Sequence, residues 1–91
     1  MFVNNAEQAN RYLHQAAQSG HAPAQAELGL KYLKGQQLQQ DTVLGLKYLQ
    51  QAAAQKNSVA LNALGEAFEN GRGTEANIEH AVQYYRQAAA Q

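Results

Sequence analysis

An all-α solenoid of five helices, arranged as αα-hairpins, is the fold class that this sequence predicts, and three observations support it. The pattern Leu-Gly-x-x-aromatic-x-x-Gly begins at Leu28 and begins again at Leu64, 36 residues later. Tyrosines and alanine pairs elsewhere in the chain recur at the same offset. The chain has one proline and no cysteine, and its many alanines favour closely packed helices over strands. A fixed period of about 20 to 50 residues is typical of a stacked array, in which each unit buries its apolar face on its neighbours.

Apolar residues at the i, i+3, i+4, i+7 spacing of a half-buried helix predict helices at about residues 5–18, 22–34, 42–55, 59–70 and 78–90. The predicted N-terminal caps are Asn4 or Asn5 for the first helix, Asp41 or Thr42 for the third, and Asn77 for the fifth. The inward-facing residues predicted for the five helices are, in order, Ala9, Tyr12, Leu13, Ala16 and Ala17; Ala24, Leu28 and Tyr32; Leu44, Tyr48, Leu49, Ala52 and Ala53; Ala60, Leu64 and Phe68; and Ala81, Tyr84, Tyr85, Ala88 and Ala89.

Two glycines lie in the middle of predicted helices. Gly29 and Gly65 occupy positions where glycine costs about 1 kcal/mol relative to alanine. Because a helix would otherwise lose stability there, we expect a neighbouring helix to approach each glycine closely. Gly35 and Gly71 are predicted to end their helices, and Leu38 is predicted to anchor the loop between the second and third helices.

The charge balance excludes several classes of partner. Seven Lys and Arg residues balance seven Asp and Glu residues, so the net charge is zero, and no basic patch favours nucleic acid or an anionic membrane. Without cysteine, the chain has no disulfide framework and no thiolate chemistry. Its first residues lack the features of a signal peptide, and no apolar run approaches the roughly 20 residues of a membrane span. Either a cytoplasmic or a periplasmic location fits this pattern if the chain is part of a longer protein.

No motif predicts catalysis, a metal site or a cofactor. The glycine-rich loop at residues 71–74 follows a helix rather than a strand and lacks the lysine of a phosphate-binding loop. The three histidines lack metal-ligand spacing and are expected at the surface or as caps. Glu66 and Glu69 could form a carboxylate pair, but a solvated helix face is the favoured interpretation. Tyr84 and Tyr85 fit a core role at helical spacing better than stacking on a base.

Taken together, these residues resemble the Sel1-like repeat, a family similar to tetratricopeptide repeats. In the first full unit the matching residues are Ala24, Leu28, Gly29, Tyr32, Gly35, Leu38, Asp41, Tyr48, Ala52, Ala53 and Ala60. In the second they are Ala60, Leu64, Gly65, Phe68, Gly71, Gly73, Thr74, Asn77, Ala81, Tyr84, Ala88 and Ala89. Gln37, Gly45 and Lys56 depart from the family pattern, which has glycine, alanine and glycine there. The resemblance divides this single repeat domain into a half repeat at residues 1–21 and full repeats at residues 22–57 and 58–91.

What the resemblance implies is an interaction scaffold that is not an enzyme and needs no cofactor. In such a curved superhelix the first helix of each hairpin lines the concave face and meets a partner protein or peptide. The partner-binding residues expected here are Ala26, Leu30, Leu33, Lys34, Asn62, Glu66, Glu69 and Asn70. Leu30 and Leu33 are the expected apolar anchors, beside an acidic and amide-rich half contributed by the fourth helix.

Two other functions stay open at this point. The first helix begins without a hairpin partner, so Phe2, Tyr12 and Leu13 are expected to be partly bare. Pairing with a second copy, or exchange of terminal helices, would cover them and make the protein a self-associating module. An enzyme would require a cleft with a buried carboxylate of shifted pKa, which nothing in the sequence indicates.

Overall fold

Five helices and no strands make up the part of the chain that the computed structural model describes, residues 5–91. They are α1 Asn5–Gln18, α2 Ala22–Lys34, α3 Thr42–Ala54, α4 Ser58–Asn70 and α5 Ile78–Ala89. The predicted helices are confirmed, with ends that differ by at most one residue. The expected cap Asn4 and the expected bare residue Phe2 lie outside the described residues. Helices α2 and α3 form one hairpin, α4 and α5 form a second, and α1 packs against α2.

The helix ends follow from the residues that flank them. The side chains of Asp41, Asn57 and Asn77 each accept a hydrogen bond from the backbone N–H three residues further on, at 2.9–3.1 Å. Such caps contribute about 1 kcal/mol each. At the other ends of α2 and α4, Gly35 and Gly71 adopt the left-handed conformation and donate their N–H groups back into the last turn. These contacts fix the lengths of the helices and the directions in which the loops leave them.

The glycine expected to allow a close approach in α2 does so, together with a second glycine in α3. A Cβ on Gly29 would lie 2.8 Å from Cγ of Leu49 and 2.9 Å from the carbonyl oxygen of Gly45. A Cβ on Gly45 would in turn lie 2.8 Å from the carbonyl oxygen of Gly29. Both distances are well below van der Waals contact. The family pattern has alanine at position 45. The glycine found here has no side chain and therefore permits backbone-to-backbone contact between α2 and α3.

The second hairpin achieves its close approach with a different pair of residues. A Cβ on Gly65 of α4 would lie 2.7 Å from Cε1 of Tyr85 on α5. Tyr85 thus lies across the glycine at the place where Leu49 lies in the first hairpin. Ala81 takes the position of Gly45 and is buried. The second expectation of close approach is confirmed.

The core consists of leucines and alanines between the helices, with an aromatic pair repeated in each hairpin. Tyr32 and Tyr48 stack with their ring centroids 5.9 Å apart, and Phe68 and Tyr84 stack at 5.5 Å. Both pairs join residues at equivalent repeat positions. The largest fully buried side chains are Leu28, Leu49, Leu61 and Leu64. Burial of each leucine stabilises the fold by about 1.5–3 kcal/mol.

Some inward-facing predictions are wrong. Ala9, Tyr12 and Ala89 are exposed, because no helix within residues 5–91 covers that side of α1 and because Ala89 is the last residue of α5. A buried residue that the apolar pattern missed is Asn10. Its Oδ1 accepts a hydrogen bond from Nζ of Lys31 at 3.0 Å, and its Nδ2 donates to the carbonyl oxygen of Gln37 at 3.0 Å. This network attaches α1 to α2 and to the loop that follows it.

The loop between α2 and α3 also contains the expected anchor. Leu38 is half-buried and packs against the cluster of Ala17, Ala24 and Leu28 that joins α1 to α2. The whole molecule is elongated, with extents of 49 × 23 × 15 Å. This shape is that of a short solenoid rather than a sphere, so a large share of each helix faces solvent.

Candidate interaction groove

A groove runs between α2 and α4, the first helices of the two hairpins. It consists of two adjoining hollows that share Leu30. The first, here called the apolar hollow, has a volume of about 220 Å³ and is lined by Pro23, Ala26, Glu27, Leu30, Asn57 and Val59. The second, here called the charged hollow, has a volume of about 70 Å³ and is lined by Leu30, Leu33, Lys34, Ala63, Glu66, Ala67, Asn70 and Arg72.

The groove brings together most of the residues expected to bind a partner. Five of the eight line the charged hollow: Leu30, Leu33, Lys34, Glu66 and Asn70. Ala26 lines the apolar hollow, while Asn62 and Glu69 line neither. The grouping of six expected residues follows from helix geometry, because positions three or four apart share one face of α2 or α4.

Two of the expected residues are not free side chains. Ala26 is 2% exposed and Leu33 is 4% exposed, so the expectation that both project from the surface is wrong. Both belong to the core cluster that includes Leu46 and Leu49 of α3. They form the floor of the groove, and Leu30, which is only half-buried, is the remaining apolar anchor on α2.

Glu69 faces α5 rather than the groove. Its Oε1 accepts a hydrogen bond of 2.9 Å from the hydroxyl of Tyr85. Burial of the phenol, followed by this hydrogen bond, raises the pKa of Tyr85 to about 12. A carboxylate pair of Glu66 and Glu69 is therefore not what the fourth helix presents, because one of the two is engaged with a tyrosine.

Several residues that line the groove were not predicted from the sequence. Val59 is 52% exposed and, with Pro23, forms the wall of the apolar hollow. The two are 36 residues apart, so the repeat itself contained a signal that this position faces a common surface. Arg72 lies in the loop after α4, which the sequence predicted only as a turn. Its side chain reaches the charged hollow, and no local pattern indicated that.

The polarity of the groove runs along the helices and not across them. The expectation was an apolar half on α2 beside an acidic, amide-rich half on α4. Instead, the beginnings of both helices form the apolar hollow, and their ends form the charged hollow. From Pro23 to Lys34 the rise of the helix is about 16 Å, which about five residues of an extended peptide would span.

Unpaired polar groups surround the charged hollow. In the described part of the chain, the side chains of Lys34, Arg72 and Asn70 take part in no hydrogen bond or ion pair. Glu66 lies among the same lining residues. Groups of both signs and a free amide are therefore available to the polar atoms of a bound segment.

Two of the three histidines, His14 and His80, contact aromatic residues of α2 and α4. In α1, Nδ1 of His14 lies 2.7 Å from the carbonyl oxygen of Asn10, and Nε2 lies 2.8 Å from the hydroxyl oxygen of Tyr32. Because a carbonyl oxygen only accepts, Nδ1 is the nitrogen that donates in the contact with Asn10. His80 stacks on Phe68 at 5.2 Å. Within residues 5–91, no group of three or more His, Cys, Asp or Glu residues is placed to hold a metal ion.

The loop at residues 71–74 is a turn with left-handed glycines at Gly71 and Gly73. Burial, followed by the charges of Tyr48 and Asp41, raises the pKa of Tyr32, which is part of the stacked pair between α2 and α3. None of the helices described here has the length and apolar character that crossing a membrane requires.

Comparisons with known proteins identify relatives of this architecture. The family model of the Sel1 repeat matches residues 3–21, 22–57 and 58–91. A Sel1 repeat protein from Oxalobacter formigenes has a crystal structure that is 40% identical, with a TM-score of 0.88 over 94% of this chain. A protective antigen of uropathogenic Escherichia coli, displaying an SLR fold, is 30% identical, with a TM-score of 0.91 over 96% of this chain. This chain spans 34% and 19% of the lengths of those two proteins. No curated protein matches it.

Proposed function

The chain belongs to the Sel1 repeat family, and from that premise we propose that it is a scaffold whose groove between α2 and α4 binds a peptide segment of a partner protein. Sel1 repeat proteins are generally protein-interaction scaffolds, and the family is typically non-enzymatic. The single observation that supports the groove as the binding surface is the apolar hollow, where Val59 and Leu30 are exposed or half-buried between two helices.

The apolar hollow can anchor one side chain of a bound segment. Pro23, Leu30 and Val59 surround it, and Ala26 forms its floor. Removing an apolar side chain from water contributes about 25 cal/mol per Å² of buried area. An anchor in a pocket surrounded by weaker contacts is the usual source of most of the binding energy at an interface.

The charged hollow can then fix the register of the same segment. Lys34 and Arg72 donate, Glu66 accepts, and the amide of Asn70 does both. Because the two hollows adjoin at Leu30 and the whole groove spans about five extended residues, these groups would meet a residue fewer than about five positions from the apolar anchor. The bound partner would thus carry an apolar side chain and polar side chains at a defined separation.

Two valines allow a matched test of this proposal. Val59 lies in the first turn of α4 inside the groove, whereas Val43 lies in the first turn of α3 outside it, and they are 52% and 71% exposed. Peptides that bind the wild-type chain are first selected from a random displayed library. Their affinities for the wild type, Val59→Asp, Leu30→Asp and Val43→Asp are then measured by fluorescence anisotropy. We expect the two groove variants to bind at least about tenfold more weakly, a loss of about 1.4 kcal/mol, and Val43→Asp to bind as the wild type does. Equal affinities for all four chains would refute the proposal that the groove binds the peptide.

Self-association is a second candidate, favoured by the outer face of α5. Ile78 and Val82 lie four residues apart on that helix and are both exposed. Two copies related by a two-fold axis could bury this pair against itself. Sedimentation at increasing concentration tests this, with Val82→Asp expected to keep the chain monomeric. A wild-type chain that stays monomeric at millimolar concentration would remove this candidate.

A further inference from the structure

The lining of the charged hollow has an excess of positive charge. Lys34 and Arg72 are cations, Glu66 is an anion and Asn70 is neutral. All four of these side chains are exposed. In the described part of the chain, neither Lys34 nor Arg72 takes part in a hydrogen bond or ion pair. One further negative charge, supplied by a bound group, would make the lining neutral, so charge complementarity favours an anion in this hollow.

The backbone at this end of the groove opposes an anion less than the end of a helix usually does. The charged hollow lies where α2 and α4 end, and unpaired carbonyl groups at such ends carry partial negative charge. The carbonyl oxygen of Tyr32 accepts a hydrogen bond from the N–H of Asp41 at 2.9 Å. The equivalent oxygen in the second repeat, that of Phe68, accepts from the N–H of Asn77 at 2.7 Å. The carbonyl oxygen of Leu33 accepts from a side-chain amide of the next loop at 2.9 Å. The lining side chains therefore decide the charge of the hollow.

The size of the charged hollow limits the anion to a small group. Its volume is about 70 Å³, against about 220 Å³ for the apolar hollow. A cavity that holds benzene measures about 150 Å³, so a ring does not fit in the charged hollow, whereas a carboxylate does. A carboxylate is also the group with which a guanidinium such as that of Arg72 forms two parallel hydrogen bonds. The hollow thus matches one carboxylate in both size and charge.

The polar groups of the hollow favour the C-terminal carboxylate of a polypeptide over that of an Asp or Glu side chain. A C-terminal residue carries its carboxylate and its backbone N–H on the same carbon, so it presents an acceptor and a donor side by side. Lys34 and Arg72 supply donors for the carboxylate. Glu66 and Asn70 are four residues apart on one face of α4, and each has an oxygen that accepts from an N–H. An Asp or Glu side chain holds its carboxylate further from the backbone N–H, so it does not present the two groups as one unit.

We propose that the charged hollow captures the C-terminal carboxylate of the segment bound in the groove. This inference rests on the proposed function and adds that the partner contributes the end of its chain. It also sets the direction of binding, because the terminus lies where α2 and α4 end and the segment runs parallel to both helices. The apolar side chain that fills the apolar hollow then lies fewer than about five positions before the last residue.

Two displayed libraries of random peptides supply the probes. In the first, each peptide is attached to its carrier by the N-terminus, so its C-terminus is free; in the second, it is attached by the C-terminus. The tightest binder from the first library is synthesised with a free carboxylate, with a C-terminal amide, and with an amide after an aspartate in the last position. Fluorescence anisotropy measures the affinities. We expect the free carboxylate to bind at least about tenfold more tightly than either amide.

Lys34→Gln and Arg72→Gln test which side chains hold the carboxylate, and Lys47→Gln is the matched control. Lys47 is exposed on α3 and lines neither hollow of the groove, so its replacement changes the net charge equally. An exposed ion pair strengthens binding up to about fivefold. We expect each groove variant to reduce the preference for the free carboxylate over the amide at least about threefold. Lys47→Gln should leave that preference unchanged.

Failure of this inference can be told apart from failure of the groove. Equal binding by the free and amidated peptides overturns the capture of a C-terminus, and equal binding by the aspartate peptide assigns the carboxylate to a side chain and overturns it too. If Val59→Asp still weakens those peptides, the groove itself stands as the binding surface. If Val59→Asp weakens binders from neither library, the proposed function fails and the inference with it. Binders sensitive to Val59→Asp from the second library alone also overturn the inference, since their C-termini are blocked.

Discussion

Tyr85 donates a hydrogen bond of 2.9 Å to Glu69 while its ring lies across Gly65, so one side chain of α5 makes two of the contacts that close the second hairpin. The equivalent residue of the first hairpin, Leu49, makes only the apolar contact. The two hairpins therefore respond differently to pH and to substitution, although they share one backbone architecture.

The stability of the chain is expected to fall in alkaline solution through Tyr85. Its pKa is raised to about 12, chiefly by burial and then by the hydrogen bond to Glu69, against about 10 in an unfolded chain. The folded chain thus holds this proton more tightly, so the contribution is complete below pH 10 and is lost as the pH rises from 10 to about 12. Urea unfolding from pH 8 to 12 measures the decline, and Tyr85→Phe should make it shallower. An identical decline in that variant would show that other groups cause it.

Gly45→Ala is expected to destabilise the first hairpin although alanine is the better helix former. The new Cβ would meet the backbone of α2, 2.8 Å from the carbonyl oxygen of Gly29 and 2.9 Å from the nitrogen of Leu33. The higher helix propensity of alanine stabilises the fold by about 1 kcal/mol. Separating two backbones typically destabilises it by about 1–3 kcal/mol. Thermal unfolding should show a net loss, whereas a higher melting temperature would mean that α2 and α3 can separate freely.

Gly65→Ala is expected to depend on Tyr85, because the obstacle there is a side chain. The new Cβ would lie 2.7–2.9 Å from three atoms of the Tyr85 ring. A double-mutant cycle with Tyr85→Ala should therefore show coupling of about 1 kcal/mol or more, with Gly65→Ala less harmful once the ring is removed. Additive free energies of unfolding would mean that the ring moves aside without cost.

Two substitutions to glycine are expected to stabilise the chain. Gln37 and Lys56 have φ values of 61° and 63°, the left-handed region that non-glycine residues rarely adopt. Gln37→Gly and Lys56→Gly should each raise the free energy of unfolding by up to about 1 kcal/mol. For Gln37 the gain is reduced by loss of the hydrogen bond of 3.1 Å from Lys31 to its exposed side chain. Chemical denaturation measures both, and a loss at Lys56 would contradict the strain argument.

The interpretation of the sequence succeeded where the evidence was local. Caps at Asp41 and Asn77 and helix-ending glycines at Gly35 and Gly71 are properties of a few neighbouring residues, and they set the helix ends. The groove was only partly predictable. Periodicity placed Leu30 on the correct face, but the exposure of a residue on that face depends on how near the next helix lies.

The sequence by itself determined five helices, their order, and the close approach at Gly29 and Gly65. A 36-residue period and a glycine inside a predicted helix can both be read from a single sequence. Only the tertiary structure decided that Ala26 and Leu33 form a floor rather than free side chains, and that Arg72 joins the charged hollow. The physical reason is that burial is a property of pairs of helices. It follows from crossing distances of a few ångströms, and neither helix alone specifies those distances.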